Sequence, residues 1–248
     1  MENKQTKIFG LRTVIEAIRS GKTIRKVYLQ KSLGGPLFGE LSGLLKEQVI
    51  SKSFVPIEKL NRLSKNQNHQ GVVAEISPID FADLDQLIST CLDQEDKPLF
   101  LVLDAITDVR NFGAIIRTAE STGVKGIVIQ NQGNAPVNAE TIKTSAGAAF
   151  NIPICKVSHI KDALFQFQAA EIQLVAATEK ATDRLYDIDL KGPTAIIMGS
   201  EDRGINPSVL KMVDHKACLP MQGSIGSLNV SVACGAFLYE AIRQRLGA

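Results

Sequence analysis

The first 77 residues alternate between hydrophobic patterns typical of helices and patterns typical of strands. Apolar residues recur at helical spacing in two stretches, at Leu11, Val14, Ile15 and Ile18 and again at Leu37, Leu41, Leu44 and Leu45. Short runs typical of strands stand at residues 26–29, 54–57 and 71–76. We therefore predict a small α/β domain over residues 1–77.

From residue 99 onward, apolar strands rich in β-branched residues alternate with helices. The predicted strands are residues 99–103, 124–129, 154–157, 174–178, 194–198 and 217–219. Helices are predicted from Phe112, near Ala139, from Ile160, and from about Leu228 to Leu246. Continuous apolar strands between helices indicate a parallel sheet that is covered on both faces. We therefore predict that residues 97–248 form a parallel-sheet α/β domain.

The stretch between these two parts is acidic and has a proline at each end. It reads PIDFADLDQLISTCLDQEDKP over residues 78–98, and its middle could form a helix. We place the domain boundary here and predict a linker over residues 78–96.

Composition narrows the class of protein. At 248 residues and 44% hydrophobic content, the chain can form one or two domains. Its apolar runs are far shorter than the about 20 residues of a membrane helix, and the start MENKQTK lacks a signal peptide's apolar stretch. The cysteines Cys91, Cys155, Cys218 and Cys234 lie far apart without metal-ligand spacing. We expect reduced thiols, no metal site and a cytoplasmic protein.

Charge is unevenly divided along the chain. Residues 1–77 carry 13 Lys and Arg against 6 Asp and Glu, a net charge of +7, whereas residues 78–248 carry 15 against 20, a net charge of −5. A basic module of this kind attracts a polyanion such as nucleic acid. A solvated, Lys-rich surface would give the same count, so charge alone leaves both interpretations open.

Three polar segments follow predicted strands, which is where ligands bind in open α/β sheets. The first begins at Asp104 and reads DAITDVRNFGAIIRTAE. Here Asn111 would cap the following helix, and Arg117 on its second turn would present a guanidinium suited to phosphate. An ordinary cap and a surface arginine would explain the same residues.

The other two segments lie nearer the end of the chain. In IIMGSEDRGI, from Ile196, Gly199 would allow close approach to the backbone and Glu201 would place a carboxylate at the end of a strand. In LPMQGSIGSLNVSVA, from Leu219, Ser227 would cap the last helix. The sequence has neither a GxGxxG after the first strand of a βαβ unit nor a P-loop, which argues against those nucleotide sites.

In this order and spacing, the three segments resemble the signature motifs of the SpoU class of SPOUT methyltransferases. The matching residues are NFGAIIRTAESTG, MGSEDRGI and LPMQGSIGSLNVSVA, with KTSAGA at Lys143–Ala148 as a lesser fourth segment. The resemblance covers about residues 97–248. FGLRTVIEAI and HQGVVAEI also resemble the start and end of an RNA-binding domain, similar to ribosomal α/β proteins, that precedes some of these enzymes.

The resemblance implies an S-adenosylmethionine-dependent ribose 2′-O-methyltransferase acting on a guanosine in 23S rRNA. It also implies a deep trefoil knot in the C-terminal domain and a homodimer packed through that domain. Two alternatives stay open: methylation of tRNA, and a non-catalytic RNA-binding or ribosome-assembly protein on the same scaffold. Patterning alone would have predicted an unknotted sheet, because knots are rare.

By motif position, the resemblance implies a catalytic group of Asn111, Arg117, Glu201, Ser227 and Asn229. It implies cofactor contacts from Thr178, Gly199, Leu219, Ser227 and Leu228. An Arg117 general base would be unusual, because a guanidinium stays protonated with a pKa above about 12. We therefore expect Arg117 to orient phosphate and stabilise a developing alkoxide, with Glu201 holding it in place.

Candidate RNA contacts are Arg12, Lys22, Arg25, Lys26, His69 and Arg110, and further basic residues that could bind phosphate are Lys4, Lys7, Lys31 and Lys65. We reject His69 as an acid or base, because it opens a predicted strand in the other domain. With 5% aromatic residues and no Trp, the sequence identifies no platform on which a base would stack.

Overall fold

The computed structural model describes residues 7–19, 21–77, 79–94, 97–224 and 226–247. Two units divide the chain: Met1–Asp80 with Pro136–Ala139, and Phe81–Ala135 with Glu140–Ala248. The candidate phosphate contact Lys4 lies outside the described residues.

The first unit is a small α/β fold. Its four-stranded sheet has the order β1-β4-β2-β3, in which β2 and β3 are parallel and the other pairs are antiparallel. The elements are β1 (Lys7–Phe9), α1 (Leu11–Arg19), β2 (Ile24–Gln30), α2 (Pro36–Glu47), β3 (Lys52–Val55), α3 (Ile57–Leu63) and β4 (Val72–Ile76).

The two faces of this sheet bury different side chains. Val27 and Leu29 of β2 point to the face that α1 and α2 cover. Tyr28, between them, points to the opposite face and packs against the cluster of Leu60 in α3 and Val73 in β4. This follows from the two-residue period of a strand, and the short helix α3 is the element that packs on the second face.

The second unit contains a seven-stranded parallel sheet of order β7-β6-β5-β10-β8-β11-β9. Its strands are β5 (Leu99–Asp104), β6 (Gly126–Gln130), β7 (Ile154–Val157), β8 (Gln173–Ala177), β9 (Asp183–Arg184), β10 (Thr194–Gly199) and β11 (His215–Cys218). Its helices are α4 (Leu84–Gln94), α5 (Val109–Ser121), α6 (Ala139–Thr144), α7 (Ile160–Ala169), α8 (Pro207–Leu210) and α9 (Val230–Arg245). The predicted parallel sheet between helices is confirmed.

The sequence pattern missed β1, α3, β9 and α8, none of which is longer than seven residues. The structure also differs over residues 78–96, which we predicted as a linker. Helix α4 lies within that segment, and its Leu84, Ile88 and Cys91 are buried in the core of the second unit. Most of this stretch is therefore part of the larger unit.

Both predicted helix caps were wrong, by two or three residues. Asp108, not Asn111, caps α5, because its Oδ1 accepts from the backbone N–H groups of Arg110 and Asn111 at 2.8 Å each. Asn229, not Ser227, caps α9 by accepting from the backbone N–H of Ser231 at 2.9 Å. Because α5 begins at Val109, Arg117 lies on its third turn rather than its second.

The end of α9 is tied to the segment that leads into β10. The guanidinium of Arg245 donates to the backbone carbonyls of Leu190, Gly192 and Lys97 at 2.8 to 3.0 Å. The Gln244 side chain accepts from the Leu190 N–H and donates to a backbone carbonyl nearby. One turn earlier, hydrogen bonds from Arg243 lower the pKa of the buried Glu240 carboxyl.

The four cysteines are free thiols, and burial raises the pKa of Cys155 and Cys234 to about 12. Within the described residues, no group of three or more His, Cys, Asp or Glu side chains is placed to hold a metal ion. No helix in the described part of the chain is long and apolar enough to span a membrane.

Candidate functional site

The site is built where four neighbouring strands of the large sheet end. In the order β5-β10-β8-β11 these strands are adjacent and parallel, so their carboxyl ends meet at one edge. The chain segments that follow them are residues 105–108, 200–206, 178–182 and 219–229. Segments far apart in sequence are thereby brought together, as expected for a ligand site in an open α/β sheet.

A cleft of about 320 Å³ lies among three of these segments. This volume is within the range of small-molecule sites. All five residues that we predicted as cofactor contacts line it, namely Thr178, Gly199, Leu219, Ser227 and Leu228. Sequence reasoning missed other lining side chains, among them Glu179, Met198, Met221 and Phe237. Phe237 is the clearest omission, because its position on α9 gave no sign that the helix would lie under the cleft.

The wall formed by residues 199–204 is a tight backbone reversal. Ser200 and Gly204 exchange two backbone hydrogen bonds, of 2.8 and 3.2 Å. A Cβ added to Gly199 would lie only 2.2 Å from the backbone carbon of Gly204. Glycine is therefore required at position 199 by the close approach of two backbone segments.

The charges around the cleft have one sign. Among the described residues that line it, two are acidic, Glu179 and Glu201, and none is Lys, Arg or His. Phosphate-bearing ligands are generally held by cationic side chains or by helix N-termini. The lining instead complements a ligand that carries positive charge.

Beside the cleft, one side chain from each of the three motif segments joins a hydrogen-bonded cluster. The amide of Asn111 donates to Oε1 of Glu201 at 2.6 Å. The amide of Asn229 donates to the same oxygen at 3.0 Å and to Oδ1 of Asn111 at 3.1 Å. The predicted convergence of Asn111, Glu201 and Asn229 is therefore present, with one carboxylate oxygen at its centre.

Arg117 lies on the exposed surface of α5, and its guanidinium makes no hydrogen bond or ion pair within the described residues. The contact that we expected between Arg117 and Glu201 is absent. Among the described residues, the amides of Asn111 and Asn229 are the donors to this carboxylate. Arg117 is thus a free cation, whereas Glu201 is held by neutral donors.

Asp104 is a further residue of the site that sequence reasoning did not single out. It ends β5, is 7% exposed, and pairs in register with Gly199 of β10. Its Oδ2 accepts from the backbone N–H of Asn206 at 2.7 Å, so it anchors the end of the loop that carries Glu201. A carboxylate that ends an otherwise apolar strand was the signal in the sequence.

The candidate RNA contacts fall into two groups. Arg12, Lys22 and Arg110 are exposed. Arg25 is instead half-buried and forms an ion pair with the buried carboxylate of Glu75. His69 is 7% exposed, and its two ring nitrogens bind the Asn61 side chain and the Gly71 N–H.

The Nδ1 of His69 accepts from the backbone, so Nε2 carries the proton and donates to Asn61. Both ring nitrogens are thereby committed inside the first unit. The structure gives His69 a structural role, and the RNA contact expected there finds no available ring nitrogen.

Comparisons with known proteins give a consistent result. Residues 98–239 match the SpoU rRNA Methylase family, and residues 7–82 match the family described as RNA 2′-O ribose methyltransferase substrate binding. The 23S rRNA (guanosine-2′-O-)-methyltransferase RlmB of Pseudomonas aeruginosa is 34% identical over 244 residues, which cover 96% of each chain. RlmB of Shewanella oneidensis is 32% identical over 249 residues, covering 98% of each.

Two solved methyltransferase structures align with nearly the whole of this chain. An AdoMet-bound rRNA methyltransferase from Sinorhizobium meliloti aligns with a TM-score of 0.62 and 25% identity, covering 96% of this chain and 87% of that one. The SpoU methyltransferase AviRb from Streptomyces viridochromogenes, in complex with AdoMet, aligns with a TM-score of 0.63 and 24% identity, covering 98% and 91%. At 24% identity, the likeness to AviRb supports the fold alone.

The reversal at Gly199 yields a test of the site's construction. We expect Gly199→Ala to lower the free energy of unfolding by about 1–3 kcal/mol, because the new methyl group overlaps backbone that cannot move freely. Gly223→Ala is the matched control, because a Cβ at position 223 meets no atom within 4 Å. Urea denaturation measures both variants. Equal stability of the two would contradict the close approach.

Proposed function

Because the chain belongs to the SpoU rRNA methylase family, and so to the RNA 2′-O-ribose methyltransferases that use S-adenosylmethionine, we propose that it methylates a guanosine ribose in 23S rRNA. The observation that carries the proposal is the cluster of Asn111, Glu201 and Asn229 at the rim of an acidic cleft. The choice of 23S rRNA and guanosine rests on the names of the RlmB relatives.

The cleft fits the cofactor in size and in the positive sign of the cofactor's net charge. When bound, S-adenosylmethionine supplies a methyl group activated by a positively charged sulfur, and it also carries an ammonium group. Glu179 and Glu201 complement these charges, and no described lining residue opposes them. Backbone groups at Gly199, Leu219 and Leu228 would hold the ligand, since two of these positions lie at or just after strand ends.

The polar cluster of Asn111, Glu201 and Asn229 would position the ribose hydroxyl. A 2′-hydroxyl is a weak acid, so its oxygen must be oriented and its proton accepted as the new bond forms. Oε1 of Glu201 is occupied by two amides, whereas Oε2 has no hydrogen-bond partner among the described residues. We assign Oε2 of Glu201 as the acceptor for the hydroxyl, with Asn111 and Asn229 fixing the carboxylate.

Arg117 complements this arrangement from the exposed side of α5. A guanidinium cannot serve as base because it stays protonated, but it can bind the phosphate next to the target ribose in a two-pronged contact. Its lack of any partner in the described residues leaves all its donors available. We assign it to phosphate binding and to stabilisation of negative charge that develops on the ribose oxygen.

The methyltransferase assay tests this proposal. Purified protein would be incubated with labelled S-adenosylmethionine and either unmodified 23S rRNA transcript or total tRNA, and the product mapped by its resistance to alkaline cleavage. We expect transfer to one guanosine of 23S rRNA, reduced about 100-fold or more in Arg117→Ala, as for loss of one charge-stabilising donor. Arg184→Ala, which removes an exposed arginine of β9, is the control.

Transfer to tRNA alone would contradict the rRNA assignment. Absence of transfer to any RNA, with intact cofactor binding, would support a non-catalytic RNA-binding protein instead.

The second unit carries features that support a knotted, dimeric enzyme. We propose that the last third of the chain forms a trefoil knot, since β10 inserts between β5 and β8 and α9 returns to bind the segment before β10. We also propose a homodimer through this unit. Val232 and Tyr239 are 57% and 59% exposed and, seven positions apart, lie on the same face of α9, where a second copy of the chain would cover them.

Sedimentation velocity checks the dimer. We expect a single species of twice the 26.8 kDa chain mass, and a shift toward the monomer in the double variant Val232→Glu, Tyr239→Glu, because two charges would be buried without partners. The single substitution Phe165→Glu, at an exposed residue of α7, is the control. A wild-type protein that sediments as a monomer would contradict this part of the proposal.

A further inference from the structure

The small sheet of the first unit carries an aromatic ring with two ammonium groups beside it. Tyr28 of β2 is half-buried on the face that α3 partly covers. The Nζ of Lys26 lies 5.5 Å from the centroid of its ring, and the Nζ of Lys59 lies 5.2 Å from the same centroid. We call these three residues the Tyr28 cluster.

Strand geometry explains how the cluster forms. Lys26 and Tyr28 are two residues apart on β2, so both side chains reach the same face. The register between β2 and β4 shifts between Ile24 and Lys26, and Arg25 can thereby reach Glu75 on β4 as well. Lys59 arrives from α3, 31 positions beyond Tyr28 along the chain.

Within the described residues, neither lysine of the cluster forms an ion pair with a carboxylate. The ion pairs in the described residues leave Lys26 and Lys59 out, and the buried carboxylate on this face, that of Glu75, is bound by Arg25. Each ammonium group is attracted weakly to the ring, but two like charges beside one ring repel each other. An anion bound between them would relieve this repulsion.

We propose that the Tyr28 cluster binds one nucleotide of a single-stranded segment of the RNA substrate. The two ammonium groups contact a backbone phosphate, and a base stacks on the ring of Tyr28 as the flexible lysine side chains move aside. The net charge of +7 over residues 1–77 favours RNA on this unit. The inference rests on the proposed function in one respect, that RNA is the substrate.

A single strand is favoured over a duplex for a physical reason. An aromatic ring can stack only on a base whose face is free, and duplex bases already stack on each other. A site made of lysines alone would bind both forms through phosphate. The presence of Tyr28 between the lysines therefore predicts a preference for unpaired nucleotides, such as those of an rRNA loop.

The test uses the full chain and two fluorescent probes, a 12-nucleotide oligouridylate and a 12-base-pair RNA duplex. We expect Tyr28→Leu to weaken binding of the oligouridylate roughly fivefold or more, as for loss of one stacked base. Binding of the duplex should change little. Tyr28→Phe, which retains the ring, should bind like wild type.

The lysines are tested by salt dependence. We expect the double variant Lys26→Ala, Lys59→Ala to reduce the slope of log affinity against log salt concentration by about 0.7, the value for the one phosphate contact that the two ammonium groups share. Each single variant should reduce the slope by less. Lys46→Ala removes the same charge from an exposed position on α2, which packs on the other face of the sheet, and should leave the slope unchanged.

Several outcomes would overturn the inference. One is that the Tyr28→Leu variant and the double-lysine variant bind oligouridylate as tightly as Lys46→Ala does. The others are that the wild type prefers the duplex, or that the wild type binds neither probe. If Tyr28→Leu melts at a lower temperature, the lysine variants decide, because neither side chain is in the core.

Methyl transfer separates this inference from the proposed function. We expect the lysine variants to raise KM for 23S rRNA transcript while kcat is retained, because the cluster lies outside the residues that handle the ribose. If the wild type methylates rRNA and the lysine variants have an unchanged KM, the inference about the cluster is wrong and the proposed function stands. If the wild type binds oligouridylate through the cluster but methylates no RNA, the proposed function is wrong and the inference stands.

Discussion

One carboxylate oxygen holds the candidate active site together. Oε1 of Glu201 accepts hydrogen bonds from the amides of Asn111 and Asn229, so it joins segments separated by 90 and 28 positions in the chain. Each of these side chains has a second constraint. Asn229 caps α9 through its own oxygen, and Asn111 lies in the first turn of α5, whose start Asp108 fixes. The geometry of the cluster is therefore set by two helix starts and one loop.

The sheet provides the frame for that carboxylate. Because β5 and β10 are adjacent and parallel, Asp104 and Gly199 lie side by side at their ends. Asp104 holds the far end of the 200–206 loop through the Asn206 N–H, and the tight reversal between Ser200 and Gly204 forms its near end. Glu201 lies within this reversal. Preorganisation of this kind spares an enzyme the cost of ordering its polar groups during reaction.

Much of this organisation could be predicted from the sequence. Apolar strands between helices identify a parallel sheet, and the polar segments at strand ends contain the residues that line the cleft, such as Gly199 and Leu228. Contacts that depend on exact placement could not be predicted. Asn111 and Asp108 are both good capping residues three positions apart, and only the true helix start distinguishes them. Likewise, the sequence offers a guanidinium and two amides as donors to Glu201, and only the fold shows that the two amides make the contact.

Asn111 and Glu201 should act as one unit in the reaction, and a double-mutant cycle on kcat/KM measures their coupling. The rates of wild type, Asn111→Ala, Glu201→Ala and the double variant would be measured with 23S rRNA transcript. We expect strong non-additivity, with a coupling energy of about 1 kcal/mol or more, because either change alone breaks the shared contact. Fully additive effects would contradict the claim and would mean that the two side chains serve the reaction independently.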